Sequence, residues 1–357
     1  MKVVIAGGGT AGHVNPALAV AEAMSGHSVT FVGTTTGAEA KLVPQRGFAL
    51  DHIDVAGFDR ARPLQFPVVA LRAAGAFRRA RSILGARTPD VVLGMGGYVS
   101  LPVVAAARSA RIPVVVHEQN IVLGLANRIG RIAARRVAVS FEDTLATVGD
   151  KGVFTGNPVL PEIVSADLGS ARARGMDRFR LDPARKTVLV FGGSQGATTI
   201  NEAARGIVDL WADRDDVQVV HVTGLRNPPV EVAASGLLYR SVSFVDDMVE
   251  AYAIADVALC RGGATTVAEL GVIGLPSVIV PYPHHRDRQQ ELHGRVLERA
   301  GAAVVVEDAE ATPERVAAAL DGLLHDADRL SRMSAAARSW GRPHAATAVA
   351  EVVEAAA

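Results

Sequence analysis

Short apolar runs alternate with alanine-rich stretches of helical character along the whole chain. In the first half the runs fall at residues 3–6, 28–32, 91–93, 113–116 and 136–139. In the second half they fall at 187–191, 217–222, 242–244, 257–259, 277–280 and 303–306. Their near-continuous apolar character, with helices between them, predicts parallel strands covered on both faces, an α/β architecture. The pattern also repeats. "VVIAGGGTAGH" from Val3 is echoed by "VLVFGGSQGAT" from Val188, each an apolar strand, a glycine-rich turn and a helix. "DVVLGMGGYVS" from Asp90 is echoed by "DVALCRGGATT" from Asp256, with Gly96-Gly97 and Gly262-Gly263 at matching offsets. Two similar doubly wound, Rossmann-like domains facing across a cleft are expected rather than one large sheet. The boundary is expected within residues 155–185, giving domains at 1–160 and 161–342. The tail 343–357 reads as a final amphipathic helix that folds back on the first domain.

Composition narrows the class. Of 357 residues, 49% are apolar and 21% charged, which describes a globular chain. The formal net charge of zero argues against nucleic acid as a partner. The single cysteine, Cys260, excludes an internal disulfide and suits a reducing compartment. The chain starts on a predicted strand, with no basic-then-apolar leader, and no apolar run approaches the length of a spanning helix. A cytosolic location is the expectation. One stretch breaks the neutrality: from Arg60 to Arg87 there are seven arginines and no acid, among Leu64, Phe66, Val68, Val69, Leu71, Phe77, Ile83 and Leu84. It reads either as a helix with its apolar stripe on a sheet and its arginines in water, or as a basic helix resting on an anionic membrane surface.

Four glycine-rich turns follow predicted strands, at residues 7–12, 94–97, 192–196 and 262–263. Glycine lets the backbone approach a ligand closely, and the helix that follows offers unpaired N–H groups and the positive end of its dipole to an anion. Two such turns per half point to a phosphate ligand. The dehydrogenase reading of Gly7-x-Gly9-x-x-Gly12 lacks its acidic ribose partner, because Glu39 comes late and beyond a glycine turn. No Gly-Lys-[Ser/Thr] marks a P-loop either. His13 stands where the first helix begins; the dipole there favours neutral imidazole, a base able to accept a hydroxyl proton. Glu269, about one turn into the helix after Gly262-Gly263, is placed to accept from a ribose diol. Ser194 and Gln195 suit a diphosphate. Gln289 and Gln290, like Glu118, Gln119 and Asn120 of "HEQN", suit sugar hydroxyls. Metal is disfavoured: His284, His285 and His293 lack ligand spacing, and Asp213-x-Asp215 precedes a strand instead of ending one. No cofactor is expected, and no nucleophile elbow is present.

Together "GGTAGHVNPALAVA", "VVLGMGGYVSLP", "PVVVHEQN", "TGNPV", "VFGGSQGA", "FVDDM" and "DRQQ" cover nearly the whole chain in order. This set resembles the bacterial UDP-N-acetylglucosamine:lipid I N-acetylglucosaminyltransferases of peptidoglycan synthesis. The resemblance implies the glycosyltransferase-B fold. It also implies inverting transfer of N-acetylglucosamine from UDP-N-acetylglucosamine to the C4 hydroxyl of undecaprenyl-diphospho-N-acetylmuramoyl-pentapeptide (lipid I), giving lipid II, at the cytoplasmic face of the plasma membrane. Carried onto this chain, Thr10, Ala11, Gly12 and His13 face the acceptor diphosphate and donor sugar, and Asn120 contacts the sugar. Ser194 and Gln195 hold the UDP diphosphate, Val245 the uracil through its backbone, and Glu269 the ribose. Ala264, Thr265, Thr266, Val267 and Ala268 line the nucleotide, and Gln289 with Gln290 the sugar hydroxyls. His13 is the candidate base and Glu118 the alternative. The resemblance also makes the anionic inner membrane a partner through Arg60 to Arg87, and cell-wall synthesis or division proteins further partners. The chain departs from the family at Ala11, Leu160, Gly262 and His293, where glycine, arginine, serine and asparagine are usual. Competing readings are a UDP-sugar 2-epimerase, a transferase acting on diacylglycerol or a natural product, and a UDP-sugar sensor.

Overall fold

The computed structural model describes residues 1–55, 66–232, 236–285 and 287–357, and within them the side chains of all but residues 66–71. The chain forms two compact units, Met1–Leu160 with Arg342–Ala357, and Pro161–Gly341.

The first unit holds seven parallel strands: β1 (Lys2–Ala6), β2 (Ser28–Gly33), β3 (Ala49–His52), β4 (Val91–Gly94), β5 (Val114–Glu118), β6 (Arg136–Val139) and β7 (Gly152–Phe154), in the order β3-β2-β1-β4-β5-β6-β7. The register runs Val3↔Val29 on one side of β1 and Val3↔Val91 on the other. Because successive side chains point to opposite faces, β1 feeds two cores. Val4 and Ala6 pack with Val99, Val103 and Leu84 under the helices Gly97–Ser109 and Phe66–Arg87. Val3 and Ile5 pack with Val14, Leu18, Val349 and Val353, under the helices Ala11–Ala23 and Ala345–Glu354.

The second unit holds β8 (Lys186–Phe191), β9 (Val217–Val222), β10 (Leu238–Val242), β11 (Val257–Cys260), β12 (Ser277–Ile279) and β13 (Ala303–Val305), in the order β10-β9-β8-β11-β12-β13. Val188, Val190, Val257 and Leu259 line a core closed by the helices Thr198–Leu210 and Pro313–Leu324. Each sheet reverses its winding once, between β1 and β4 and between β8 and β11. The carboxyl ends of strands at such a switch point open the crevice where ligands bind in doubly wound folds.

The strand expected at 242–244 instead spans Leu238–Val242, paired from Leu238↔Gln218 to Val242↔Val222. Beyond Val242 the chain turns into the helix Met248–Ile254, whose first turn is capped by Asp247 accepting from the Val249 N–H at 3.0 Å.

Candidate functional site

In the first unit the turns after β1 and β4 flank the switch point. Thr10 takes extended backbone (φ −110°, ψ 158°) and starts the helix Ala11–Ala23, with Thr10 and Gly12 exposed and Ala11 half-buried. His13 is the third residue of that helix. Its Nδ1 meets the Oε1 of Gln119, which lies just past β5 and is buried. The Gln119 amide in turn donates to the Met95 carbonyl, just past β4, at 3.1 Å. The histidine in the first turn after β1 is therefore tied, through Gln119, to the carboxyl ends of β5 and β4.

A second tie comes from Glu39. Its fully buried carboxylate accepts from the Gly9 N–H at 2.8 Å, the Thr34 N–H at 2.8 Å and the Thr34 hydroxyl at 2.7 Å. Burial alone would raise this carboxyl; the bonds from Thr34 and Gly9 overcome it and hold the group below its ordinary value. The Gly9 N–H is thus spent within the protein, and Glu39 shapes the turn instead of facing a ribose.

Glu118 is also engaged. One oxygen accepts from the Asn120 N–H and amide at 2.9 and 3.1 Å, the other from the Gly124 N–H and the Asn127 amide at 3.0 and 2.8 Å. Four N–H donors occupy the lone pairs of a carboxylate 2% exposed. As a proton acceptor Glu118 would have to surrender one of them; its geometry is that of a clamp on the 120–124 turn. Asn120, half-buried, belongs to that clamp. Next to them His117 is buried, which pushes its imidazole down to about 4, partly offset by the Gly156 carbonyl 3.4 Å away. Glu39 and Tyr98, whose 40% exposed ring lies beside Gly9, escaped the sequence reading as site residues, and Gln119, read there as a sugar contact, instead meets His13. For Tyr98 the signal was present in the aromatic after the second glycine pair.

In the second unit Ser194 and Gln195 are exposed on the turn after β8. Their carbonyls accept from the Leu225 N–H at 2.9 Å and the Asn227 amide at 3.3 Å, so the turn after β9 holds them. The two turns touch backbone to backbone at Gly196 (φ +81°), where a Cβ would lie 2.1 Å from the Thr223 carbonyl oxygen. After β11, Gly263 leads into the helix Ala264–Ile273, and Ala264, Thr265 and Thr266 sit half-exposed in its first turn. Val267 and Ala268 do not belong with them. Val267 is 0% and Ala268 6% exposed, and the Val267 N–H is bonded to the Gly263 carbonyl at 2.9 Å. The helix turns these two toward the core, away from any nucleotide at its exposed end.

Glu269, half-buried, accepts from the Tyr252 hydroxyl at 2.6 Å through Oε2. Burial pushes its carboxyl up to about 7; the Tyr252 bond opposes this and nearby Glu162 adds to it. Val245 is 2% exposed, backbone included. Gln289 donates to Asp287 at 2.7 Å, while its Oε1 is buried without a partner among the described residues. Gln290 accepts from the Tyr282 N–H at 3.0 Å. Two of the departures from the family pattern meet here: His293 bonds the Gly262 carbonyl at 2.9 Å through Nδ1, and burial holds its imidazole down at about 4. His284 and His285 flank the Tyr282 ring. Leu160, another departure, packs against the first unit's core.

The basic stretch divides. Arg60, Arg62 and Leu64, and the side chains of Phe66, Val68, Val69 and Leu71, lie outside the described residues. From Arg72 onward Ala76, Ala80, Ile83 and Leu84 are buried and Phe77 packs against the same core, whereas Arg72, Arg78 and Arg79 are exposed. Arg87 makes two bonds to Asp51, at 2.8 and 3.0 Å. No helix among the described residues is long and apolar enough to cross a membrane.

Comparison with known proteins gives the same picture from outside. The glycosyltransferase family 28 N-terminal domain matches residues 3–139, and the glycosyltransferase family 28 C-terminal domain matches residues 187–352. Proteins named UDP-N-acetylglucosamine–N-acetylmuramyl-(pentapeptide) pyrophosphoryl-undecaprenol N-acetylglucosamine transferase are similar over almost their full length. The one from Cutibacterium acnes is 43% identical, covering 98% of this chain and 96% of that protein. The one from Halothermothrix orenii is 36% identical, covering 99% and 98%. Among solved structures, Acinetobacter baumannii MurG superposes with a TM-score of 0.77 at 27% identity, covering 99% of both chains. The UDP-GlcNAc 2-epimerase of Neisseria meningitidis, bound to UDP-GlcNAc, reaches 0.70 at 15% identity over 99% of this chain and 100% of that one, a likeness of fold alone.

Proposed function

The chain belongs to glycosyltransferase family 28, and from that premise we propose that it transfers N-acetylglucosamine from UDP-N-acetylglucosamine to the C4 hydroxyl of lipid I, giving lipid II. The observation that carries the reading is similarity, across both units, to transferases named for this donor and acceptor. The first unit takes the acceptor at the turns after β1 and β4, and the second takes the donor at the turns after β8 and β11. The hydroxyl oxygen attacks the anomeric carbon, the bond from that carbon to the UDP phosphate oxygen breaks, and inversion follows from in-line displacement. His13 receives the hydroxyl proton. The turn at Ser194 and Gln195 and the first turn of the helix Ala264–Ile273 meet the charge that grows on the departing diphosphate. Glu269 takes the ribose, and Gln289, with an unused carbonyl oxygen, takes a sugar hydroxyl.

The acceptor is lipid-anchored, so the protein works peripherally at the cytoplasmic face of the membrane. The exposed Arg72, Arg78 and Arg79 support an electrostatic contact there; each arginine near an anionic surface contributes about 1 kcal/mol. Sedimentation with anionic vesicles is expected to weaken when the three become alanine, and binding unchanged by that substitution refutes this contact.

UDP release from UDP-N-acetylglucosamine, with and without a soluble lipid I analogue, tests the reaction. Release that requires the analogue and yields a disaccharide is expected. Analogue-independent conversion of the donor marks an epimerase instead, and binding without turnover a sensor.

A further inference from the structure

His13 has two ring nitrogens, and which of them is free to take a proton is fixed by the partner of the other. That partner is Gln119 Oε1, which lies against Nδ1. A glutamine amide can be turned either way, so its orientation has to be argued from the rest of its surroundings. Here the Met95 carbonyl decides it. The amide nitrogen donates to that oxygen at 3.1 Å, and the reversed amide would set two carbonyl oxygens against each other while its NH2 faced the ring. Met95 is itself held, since its N–H donates to the Ala6 carbonyl at 2.8 Å. Gln119 is 2% exposed, which leaves its side chain no room to turn toward solvent. With Oε1 toward the ring, only an Nδ1–H can complete the bond, and the lone pair of the neutral imidazole then lies on Nε2. The Cδ2 edge, next to Nε2, points at the second glycine turn: a Cβ on Gly97 would lie 3.8 Å from it.

We propose that Gln119 is a positioning residue that holds His13 as the Nδ1–H tautomer, so that Nε2 is the atom that accepts the acceptor's hydroxyl proton. The inference rests on the transferase reading above. The device differs from a carboxylate–histidine pair: an amide orients the ring without lending it negative charge. In serine proteases, an amide put in the place of the carboxylate turns its NH2 to the histidine, enforces the wrong tautomer and costs about 10⁴ in kcat. In this protein the Met95 carbonyl blocks that orientation.

The test begins on the unaltered protein. In 15N spectra of histidine-labelled protein at neutral pH, the signal missing from His13→Asn identifies His13. That signal is expected to carry its proton on Nδ1. In Gln119→Leu, close in size and without the amide, the signal is expected to shift toward the Nε2–H form. The kcat is expected to fall about tenfold to a hundredfold, within what a positioned base contributes, and the KM for the donor should stay within about twofold. A wild-type signal with the proton on Nε2 overturns the inference even if Gln119→Leu does not fold. A wild-type Nδ1–H signal with kcat unchanged in Gln119→Leu overturns it as well, because the amide then contributes nothing to catalysis. Wild-type protein that releases no UDP in the presence of the acceptor analogue refutes the transferase reading instead, whatever the tautomer.

Discussion

At Glu269 burial and one hydrogen bond pull in opposite directions, and burial wins: the carboxyl titrates at about 7 against an ordinary 4.5. The folded state then holds this proton more tightly than the unfolded state. The associated stability is complete below about pH 4.5 and is lost as pH rises toward 7. Glu269→Gln is expected to remove that slope from urea denaturation measured between pH 5 and 7.5. A carboxylate that accepts from a ribose must be ionised, so UDP affinity should rise by about tenfold from pH 6 to 8 in excess of the slope shown by Glu269→Gln. An identical slope in the variant refutes the ribose contact. Glu39 has the opposite sign. Its lowered value stabilises the fold above about pH 4.5, and the contribution is lost as pH falls through the folded value. Glu39→Gln should cost about 1–3 kcal/mol at pH 7 by chemical denaturation, because an NH2 would face N–H donors. Residue chemistry was only partly legible in the sequence. His13 and Glu269 stood out by their places beside glycine turns. Glu39 was read as too distant, although chain reversal brings it onto Gly9, and Val267 was read as lining a ligand when helical phase turns it inward.

The strands show where sequence pattern succeeds and fails. Central strands such as β1, β4, β8 and β11 are buried on both faces and read as apolar runs. The strands missed or displaced, β3, β7 and β10, all lie at a sheet edge, where half-exposed positions admit Asp51, His52, Arg240 and Ser241 and the apolar signal is diluted. The glycine turns were legible as turns, but not their mutual packing, since the Gly196 contact depends on a loop nearly thirty residues away at Thr223. That packing can be separated from backbone conformation. Gly193 (φ +91°) has open space where a Cβ would sit, whereas Gly196 has the Thr223 carbonyl. Gly193→Ala is expected to cost about 1 kcal/mol, the strain of a left-handed backbone alone. Gly196→Ala should cost about 3 kcal/mol or more, because a backbone carbonyl cannot yield as a side chain does. Equal losses in thermal or chemical denaturation would show that the contact between the two turns carries no weight.

The internal echo between the halves made a two-unit organisation readable from the sequence. The units nevertheless differ in how the chain completes them. The second is continuous, from Pro161 to Gly341, while the first needs residues 342–357 to cover one face of its sheet. Within that segment Val349 and Val353 are 0% exposed, Ala350 is 3% and Ala356 is 4%, packed in one cluster with Val3, Ile5, Val14 and Leu18. The Arg342 guanidinium lies 5.1 Å from the centre of the Phe154 ring, and Arg135 donates to the Ala356 carbonyl at 2.6 Å, fixing both ends of the segment. Burying a valine is worth about 1.5–3 kcal/mol, and a domain's whole stability is about 5–15 kcal/mol. Loss of two buried valines is therefore enough to unfold a marginal first unit. Deleting residues 342–357 is expected to strip slow hydrogen exchange from β1, β4 and β5 while β8, β9 and β11 keep theirs, because no second-unit core residue is removed. Protection lost equally from both sheets would mean that the units do not unfold independently. Protection kept by β1 would mean that the terminal helix only covers a surface already stable without it.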